Sequence, residues 1–415
     1  MAAGIGVGIV GCGHIAAAHL NSLRELKEKG LLGETAVRAL CDRDLWKAES
    51  FRKRGEGPAQ QPGVGPAGDP MQAPPVWVSD FQDSPVPAAA SDFGQVLRDD
   101  RIDAVLVLSS VFTHHEIGLA AIRAGKNVLI EKPFAISARA ARKLSDEGRK
   151  RGVVVGVAEC VRYMPEMRIA RWAIDKGWLG VPQMSVFAAG AGYWAPDRIV
   201  AGTSWRHRKV MAAGGVAVDW MVHTFHQLRY VFGEIDEVDG MAGIVEPVRT
   251  TRDASGAVTE TVEVEIDDTL ACSFRYANGA IGSVFVTWAG HGSGFDMPLS
   301  FYGSKGCIQG GRILLDGQAP VGLMDFFNAH ADPAAKEKLF PRGITNLFTL
   351  EMHDFLSAIR EGRQMETSAE EGTRDLALCF AALESSRLGR RVKVRDVLAS
   401  RLAVYERPIN AHYRI

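Results

Sequence analysis

The chain has 415 residues, too many for one ordinary hydrophobic core, so length alone predicts two or three domains. Its composition is globular, 47% hydrophobic and 23% charged, and 48 Lys and Arg against 49 Asp and Glu leave a formal net charge of −1, which favours neither a nucleic-acid nor an anionic-membrane partner. The six cysteines stand singly, with no CxxC or Cys/His spacing, so no metal site is expected and a reducing, cytoplasmic setting is the natural reading; no basic segment precedes a long apolar run at the start, and no run approaches the roughly 18 apolar residues of a membrane span.

The first predicted element is a strand over Ile5 to Val10, followed by a glycine turn and a helix over His14 to Lys29. Val37 to Cys41 is a second short strand, ending at Asp42. Gly55 to Pro87 then breaks the rhythm. It holds eight of the chain's 18 prolines and reads as an inserted surface loop, with a short strand expected at Val76-Trp77-Val78. Ile102 to Leu108 is a buried strand, Glu116 to Ala124 a helix that Gly125 stops, and Val128 to Ile130 the next strand. Alternating strands and helices imply a parallel sheet covered on both faces. A helix over Ala138 to Arg151, a strand over Val153 to Val157 and a helix over Pro165 to Lys176 continue the pattern.

From Gln183 onward β-like runs dominate: Gln183 to Ala188, Glu260 to Ile266, Thr269 to Tyr276, Ile281 to Trp288 and Leu299 to Tyr302. Asn278-Gly279 between two of them is a strong hairpin turn. Antiparallel strands after a βαβ domain imply an α+β second domain with an open sheet. Phe348 to Glu361 and Glu370 to Leu388 are amphipathic helices expected to close over that sheet or over the first domain. The domains are therefore placed at 1–135, with the insertion at about 55–90, and 136–415. An open sheet lacks helices on one face, and such a face is usually buried between subunits, so a homodimer or homotetramer is expected.

Gly11-Cys12-Gly13-His14-Ile15-Ala16 fits G-x-G-x-x-G/A in the right context, with a strand before it and a helix after it. Gly11 permits the tight turn, Gly13 lets the backbone approach a pyrophosphate, and Ala16 lets helix and strand pack closely. The helix start, with His14 and Ile15, stabilises the phosphates. This is the mark of a Rossmann dinucleotide site. Asp42, at the end of the second strand, can bind both ribose hydroxyls and repels a 2′-phosphate, so NAD is favoured over NADP. Its neighbour Arg43 could tolerate that phosphate or stack on adenine.

Lys132 follows a buried strand and precedes a proline, so its backbone is constrained. A lysine beside a cationic nicotinamide can stabilise an alkoxide; a solvated strand-end lysine is the plainer alternative. Further on, Gly214-Gly215 precedes Asp219 and His223, four apart and so on one face of a helix. A histidine with a nearby carboxylate suits a general base, and the glycines would let the backbone approach a ligand. An ordinary helix-surface pair is the alternative there. Trp194, Trp205 and His207, in the preceding loop, could line a sugar pocket or serve packing.

The chain resembles the Gfo/Idh/MocA oxidoreductases nearly end to end. The resemblance rests on Gly8 to Gly13 and Cys41-Asp42-Arg43-Asp44, on Ile102 through His114, and most specifically on Ala124 to Pro133 with its Glu131-Lys132-Pro133. Arg162-Tyr163-Met164-Pro165, Gly214-Gly215 with Asp219 and His223, Ala277 to Ala280, Tyr302 to Gly306 and Phe355 to Ile359 extend it. It implies that Lys132, Asp219 and His223 form the catalytic group. It places Ser109, His114 and Glu131 beside the cofactor, Glu131 at the nicotinamide ribose, and the Lys132-Pro133 bond in the cis form. Arg162 would lie near the substrate or nicotinamide, or form a structural salt bridge. Met221 and His226 would face or flank the substrate pocket. Met221 and His226 depart from the glycine and aspartate usual in relatives, which leaves the substrate open.

The activity expected is NAD-dependent oxidation of a secondary alcohol of a sugar, cyclitol or derivative, or reduction of the corresponding ketone. A redox-neutral glycosidase or lyase using tightly held NAD is one alternative. A non-catalytic dinucleotide sensor is another, against which Lys132, Asp219 and His223 speak.

Overall fold

The computed structural model describes residues 4–65, 68–190 and 197–415. They group into two compact units. The first takes the chain up to Ile136 together with Ala140–Cys160 and Ile344–Thr373. Its elements run β1 (Gly6–Val10), α1 (His14–Glu28), β2 (Ala36–Cys41), α2 (Leu45–Ser50), β3 (Ala88–Ala90), α3 (Phe93–Arg98), β4 (Ala104–Val107), α4 (Val111–Arg123), β5 (Asn127–Glu131), α5 (Ala138–Arg151) and β6 (Val155–Ala158). The six strands form one parallel sheet in the order β3-β2-β1-β4-β5-β6. β1, β4 and β6 are buried along their whole length, as unbroken apolar runs must be when both faces of a parallel sheet are covered. The strand order reverses between β1 and β4. The carboxyl ends of these strands therefore bound the crevice where such a sheet takes a dinucleotide.

The proline-rich stretch needs two corrections. Val76-Trp77-Val78 is not a strand: a single 3-10 turn covers Val78–Asp80. Val76 and Val78 are buried, and the Val78 N–H donates to Phe51 O at 2.8 Å, so this segment packs under the loop and pairs with no strand. Residues 88–90, expected inside the insertion, form the edge strand β3 beside β2. Three alanines carry too little side chain to betray a strand.

The second unit comprises Ser137–Arg139, Val161–Gly343 and Arg374–Ile415. The chain now passes through α6 (Pro165–Asp175), β7 (Pro182–Gly190), α7 (Lys209–Ala212), α8 (Val216–Asp219), α9 (Met221–Phe232), β8 (Ile235–Gly243), β9 (Val248–Arg252), β10 (Val258–Glu263), β11 (Thr269–Tyr276), β12 (Ile281–Thr287), β13 (Phe295–Gly303), β14 (Gly306–Gln309), β15 (Arg312–Leu315), β16 (Val321–Gly322), α10 (Leu323–His330), α11 (Pro333–Leu339), α12 (Leu347–Glu361), α13 (Ala369–Leu388), β17 (Val392–Lys393), α14 (Val394–Leu398) and α15 (Arg407–His412). A nine-stranded sheet runs β16-β15-β14-β13-β7-β12-β11-β8-β17, with β7 and β12 its one parallel neighbour pair. The run at Glu260 lies outside it: β10 pairs with β9 in a separate two-stranded sheet, and of its residues only Val262 is buried.

β11 buries Leu270, Cys272, Phe274 and Tyr276 on one face, and β12 buries Val284 and Val286. The alternate residues Ile281 and Phe285 stay exposed. α12 belongs to the first unit. It begins at Asn346, whose side-chain oxygen accepts from Thr349 N–H at 3.1 Å, and ends at the left-handed Gly362. Its Phe348 ring meets the His19 ring edge-on at 5.5 Å, and Thr349 Oγ1 donates to Glu25 Oε2 at 2.6 Å, which docks it on α1. Among the described residues no helix is long and apolar enough to cross a membrane.

Candidate active site

The first unit holds the glycine turn. Gly11 has φ +104°, and a Cβ there would meet the Leu108 carbonyl carbon and Ser109 N at 2.5 Å. Only glycine fits, because the turn leans on the loop that follows β4. At Gly13 a Cβ would meet nothing within 4 Å, so the turn is open on that side. α1 starts from Gly13 with no side-chain cap, and His14 and Ile15 are half-buried in its first turn. Asp42 Oδ2 accepts from Cys12 N–H and Oδ1 from Asp44 N–H, each at 2.9 Å. The carboxylate thus ties the turn to the end of β2, and each oxygen keeps a second acceptor site for a ribose hydroxyl. An open turn, an uncapped helix start and an anchored carboxylate fit a dinucleotide. Arg43 is exposed beside it.

At the end of β5, Lys132 is half-buried and its bond to Pro133 is cis. The Lys132 N–H donates to Glu131 Oε2 at 2.9 Å, while Glu131 Oε1 lies 2.9 Å from His19 Nε2. Burial pushes the Glu131 carboxyl up, but the His19 bond and the charges of His19, Lys132 and His114 outweigh it and hold the group below the usual carboxylate range. Glu131, expected at a ribose, has a side chain 10% exposed, one oxygen facing His19 and the other accepting the Lys132 N–H. Ser109, after β4, is half-buried, its Oγ 2.8 Å from Thr113 Oγ1. His114 is corrected as a cofactor contact: it is 1% exposed, and both ring nitrogens face backbone carbonyls.

The second unit holds Asp219 and His223. They do not share one unbroken helix: α8 ends at Asp219, and α9 starts beyond Trp220. Both are half-buried. Arg206 Nε lies 3.5 Å from Asp219 Oδ2, and its guanidinium stacks over Trp205 at 4.5 Å. Trp205 is thereby joined to the Asp219 side of the group. The two glycines approach the fold itself and not a ligand. A Cβ at Gly215 would meet Asp267 O at 1.5 Å, and one at Gly214 would meet Val218 Cγ2 at 2.6 Å. Asp267 accepts from Gly215 N–H at 2.9 Å and Ala217 N–H at 2.8 Å, which fixes the start of α8. Burial raises its carboxyl, with those N–H donors opposing.

Arg162 is half-buried, its guanidinium over the Tyr230 ring at 4.2 Å and Nη1 3.5 Å from His226 Nε2. His226 itself is corrected as a substrate contact. It is 0% exposed, and its Nδ1 lies 2.7 Å from Asp375 Oδ2. Asp375 in turn pairs with Arg229, and the charges of His226 and Arg229 overcome burial to hold its carboxyl low. His207 is 1% exposed and accepts from Val200 N–H at 3.1 Å; burial pulls it down to about 4, so it is a neutral packing histidine. Trp194 lies outside the described residues.

Sequence reading did not assign His19, Arg206, Asp267 or Asp375 as partners. His19 left one sign, a polar residue on the buried face of α1 among Ala16, Leu20 and Leu23.

Residues 5–159 match the model of an oxidoreductase family described as the NAD-binding Rossmann fold, and residues 171–394 match that family's C-terminal alpha/beta domain. Levoglucosan dehydrogenase of Pseudarthrobacter phenanthrenivorans is 27% identical over 319 residues, 72% of this chain and 81% of that protein. 1,5-Anhydro-D-fructose reductase of Ensifer adhaerens is 30% identical over 308 residues, covering 73% and 83%. Myo-inositol 2-dehydrogenase of Thermotoga maritima is 26% identical over 319 residues, covering 75% and 86%. The solved structure of a levoglucosan dehydrogenase with NADH and levoglucosan is similar at a TM-score of 0.72 and 21% identity, covering 94% of this chain and 100% of that one. At that identity the structural likeness bears on the fold.

Proposed function

The chain belongs to the Gfo/Idh/MocA oxidoreductase family, and from that premise we propose that it oxidises a secondary alcohol of a sugar or cyclitol, or reduces the corresponding ketone, with NAD as cofactor. The observation that carries this reading is the Glu131-Lys132-Pro133 turn at the carboxyl end of β5, in the same sheet as the Asp42-anchored glycine turn. A protein that only sensed a dinucleotide needs the glycine turn and nothing of the β5 turn.

NAD, when bound, accepts the hydride. The residues of the chain manage the proton and the charge. His223 takes the hydroxyl proton as general base, and Asp219 orients its ring. The Lys132 ammonium stabilises the oxyanion that develops on the substrate oxygen. The Glu131 carboxylate holds the Lys132 peptide, and Arg206 couples Trp205 to Asp219. Relatives named for levoglucosan, 1,5-anhydro-D-fructose and inositol support a polyhydroxylated ring as the substrate class.

The test is a screen of sugars and cyclitols for NADH absorbance, followed by single-turnover hydride transfer in Lys132→Met and His223→Asn at saturating NAD. A positioned general base contributes about 10²–10⁴-fold, so His223→Asn should lose turnover on that order while binding NAD as the parent does. Oxidation should speed up with pH in the parent as the base loses its proton, and His223→Asn should lack that rise. Parental turnover with the pH profile intact would remove His223 from the role, with Lys132 the next candidate. Product without net NADH would point to redox-neutral chemistry instead.

A further inference from the structure

His114 is spent on neither cofactor nor substrate, yet it sits at a junction. It lies in the first turn of α4, 1% exposed. Its Nδ1 is 2.8 Å from Pro133 O and its Nε2 is 2.8 Å from Ser109 O. Ser109 belongs to the loop on which Gly11 leans. Pro133 shares its peptide bond with Lys132. One ring therefore bridges the loop after β4 and the turn after β5. The Lys132 segment is gripped on both sides: Glu131 Oε2 accepts the N–H before it, and His114 reaches the carbonyl after it.

We infer that His114 is a positioning residue that clamps these two loops, its Nδ1 fixing the turn that carries Lys132 and its Nε2 fixing the Ser109 loop against the glycine turn. Carbonyl oxygens only accept, so each bond needs a ring N–H, and the complete clamp is the doubly protonated ring. Burial outweighs the two carbonyls and the Glu131 charge and holds the ring below the usual imidazole range, so both bonds are made together only on the acid side of that range. The neighbouring charged groups are Glu131, backed by His19, and His115, itself facing Lys143. A singly protonated ring surrenders one of the two loops. The role in turnover rests on the Lys132 reading given above; the clamp itself does not.

The two bonds can be separated by substitution. Asn at position 114 can offer an amide N–H near Nδ1, Gln one near Nε2, and Ala neither. Hydrogen exchange of the whole protein without substrate reads the clamp directly. His114→Ala should speed exchange in residues 109–113 and 131–136. His114→Asn should restore protection to 131–136, and His114→Gln to 109–113. Should the Ala variant fail to fold, the opposite patterns of Asn and Gln carry the test. In single-turnover hydride transfer with a substrate from the screen, a misplacement near 1 Å costs about 10²-fold, so kcat should fall on that order in Ala and recover more in Asn than in Gln. NADH affinity, titrated by fluorescence, should recover more in Gln. Parental exchange in all three variants would overturn the clamp. Loosened 131–136 with parental kcat would overturn the positioning role. Parental turnover in Lys132→Met would instead remove the reading on which that role rests.

Discussion

Replacing Asp42 with Ala should do two separable things. The side chain accepts one N–H from the glycine turn and one from its own loop, each at 2.9 Å. The Cys12 N–H belongs to a residue 1% exposed, and leaving a buried donor without an acceptor costs about 1–3 kcal/mol. Thermal unfolding should therefore move down by several degrees. The second effect is on the cofactor. Hydrogen bonds to a charged group are worth roughly 1.5–3 kcal/mol, so loss of the ribose contact should weaken NADH by about 10- to 150-fold. NADPH should lose little or gain, because the charge that repels a 2′-phosphate is gone. Asp42→Asn keeps one acceptor oxygen for the Cys12 N–H, loses the Asp44 bond and removes the charge, so its stability should lie between Ala and the parent while its preference shifts. The assay is fluorescence titration of NADH and NADPH on parent, Ala and Asn, with melting curves alongside. An unchanged NADH:NADPH ratio in both variants would reduce Asp42 to a strut of the turn. A parent that prefers NADPH would show that exposed Arg43 outweighs it.

Glu351 on α12 is 0% exposed, neither carboxyl oxygen has a hydrogen-bond partner among the described residues, and burial with nearby Glu131, Glu159 and Asp354 raises its carboxyl well above the usual range. A raised acid contributes stability below its unfolded value near 4.5 and loses it as pH rises through the folded value. Glu351→Gln should remove that loss, so melting curves of parent and variant should draw apart toward high pH; a constant offset from pH 4 to 9 would refute the assignment. The exposed face of the nine-stranded sheet carries Met297, Ala188, Phe285, Ala271 and Met241 in one row across five neighbouring strands, paired in register. With Met297, Phe285 and Met241 at 45%, 40% and 76% exposure, this face should be buried in a homodimer or homotetramer. Light scattering should give a multiple of the chain mass that Phe285→Lys lowers, and a monomeric parent at micromolar concentration would contradict it.

The first unit was legible because its signals are local. A continuous apolar run, a glycine turn and a terminal aspartate fall within a few dozen residues, and each has a steric or electrostatic reason to be where it is. The second sheet was legible in kind and incomplete in detail. β8, with its Gly240 and Gly243, and the short β14, β15 and β17 carry too few apolar alternations to mark a strand. Asp219 and His223 illustrate the limit of spacing: four apart suggests one face of one helix, but α8 ends at Asp219 and α9 begins after Trp220.

What sequence could not supply was the direction in which a polar side chain turns. Glu131, His114 and His226 stand where a resemblance puts ligand contacts, yet each is buried against the fold. The Glu131 carboxylate takes the Lys132 N–H, the His114 ring spans two carbonyls, and His226 leans on Asp375, 149 residues away in sequence. A buried polar group must find a partner or cost several kcal/mol, but sequence does not say whether that partner is protein or ligand. The same holds for Gly214-Gly215, whose missing side chains make room for Asp267 and Val218. Residues that hold the reacting groups need the same chemistry as the reacting groups themselves, so a motif names both kinds alike. On the reading proposed above Lys132, Asp219 and His223 are the reacting groups; they are half-buried, whereas Glu131, His114 and Asp267 are buried, so the substitutions that test catalysis and those that test positioning fall on different residues.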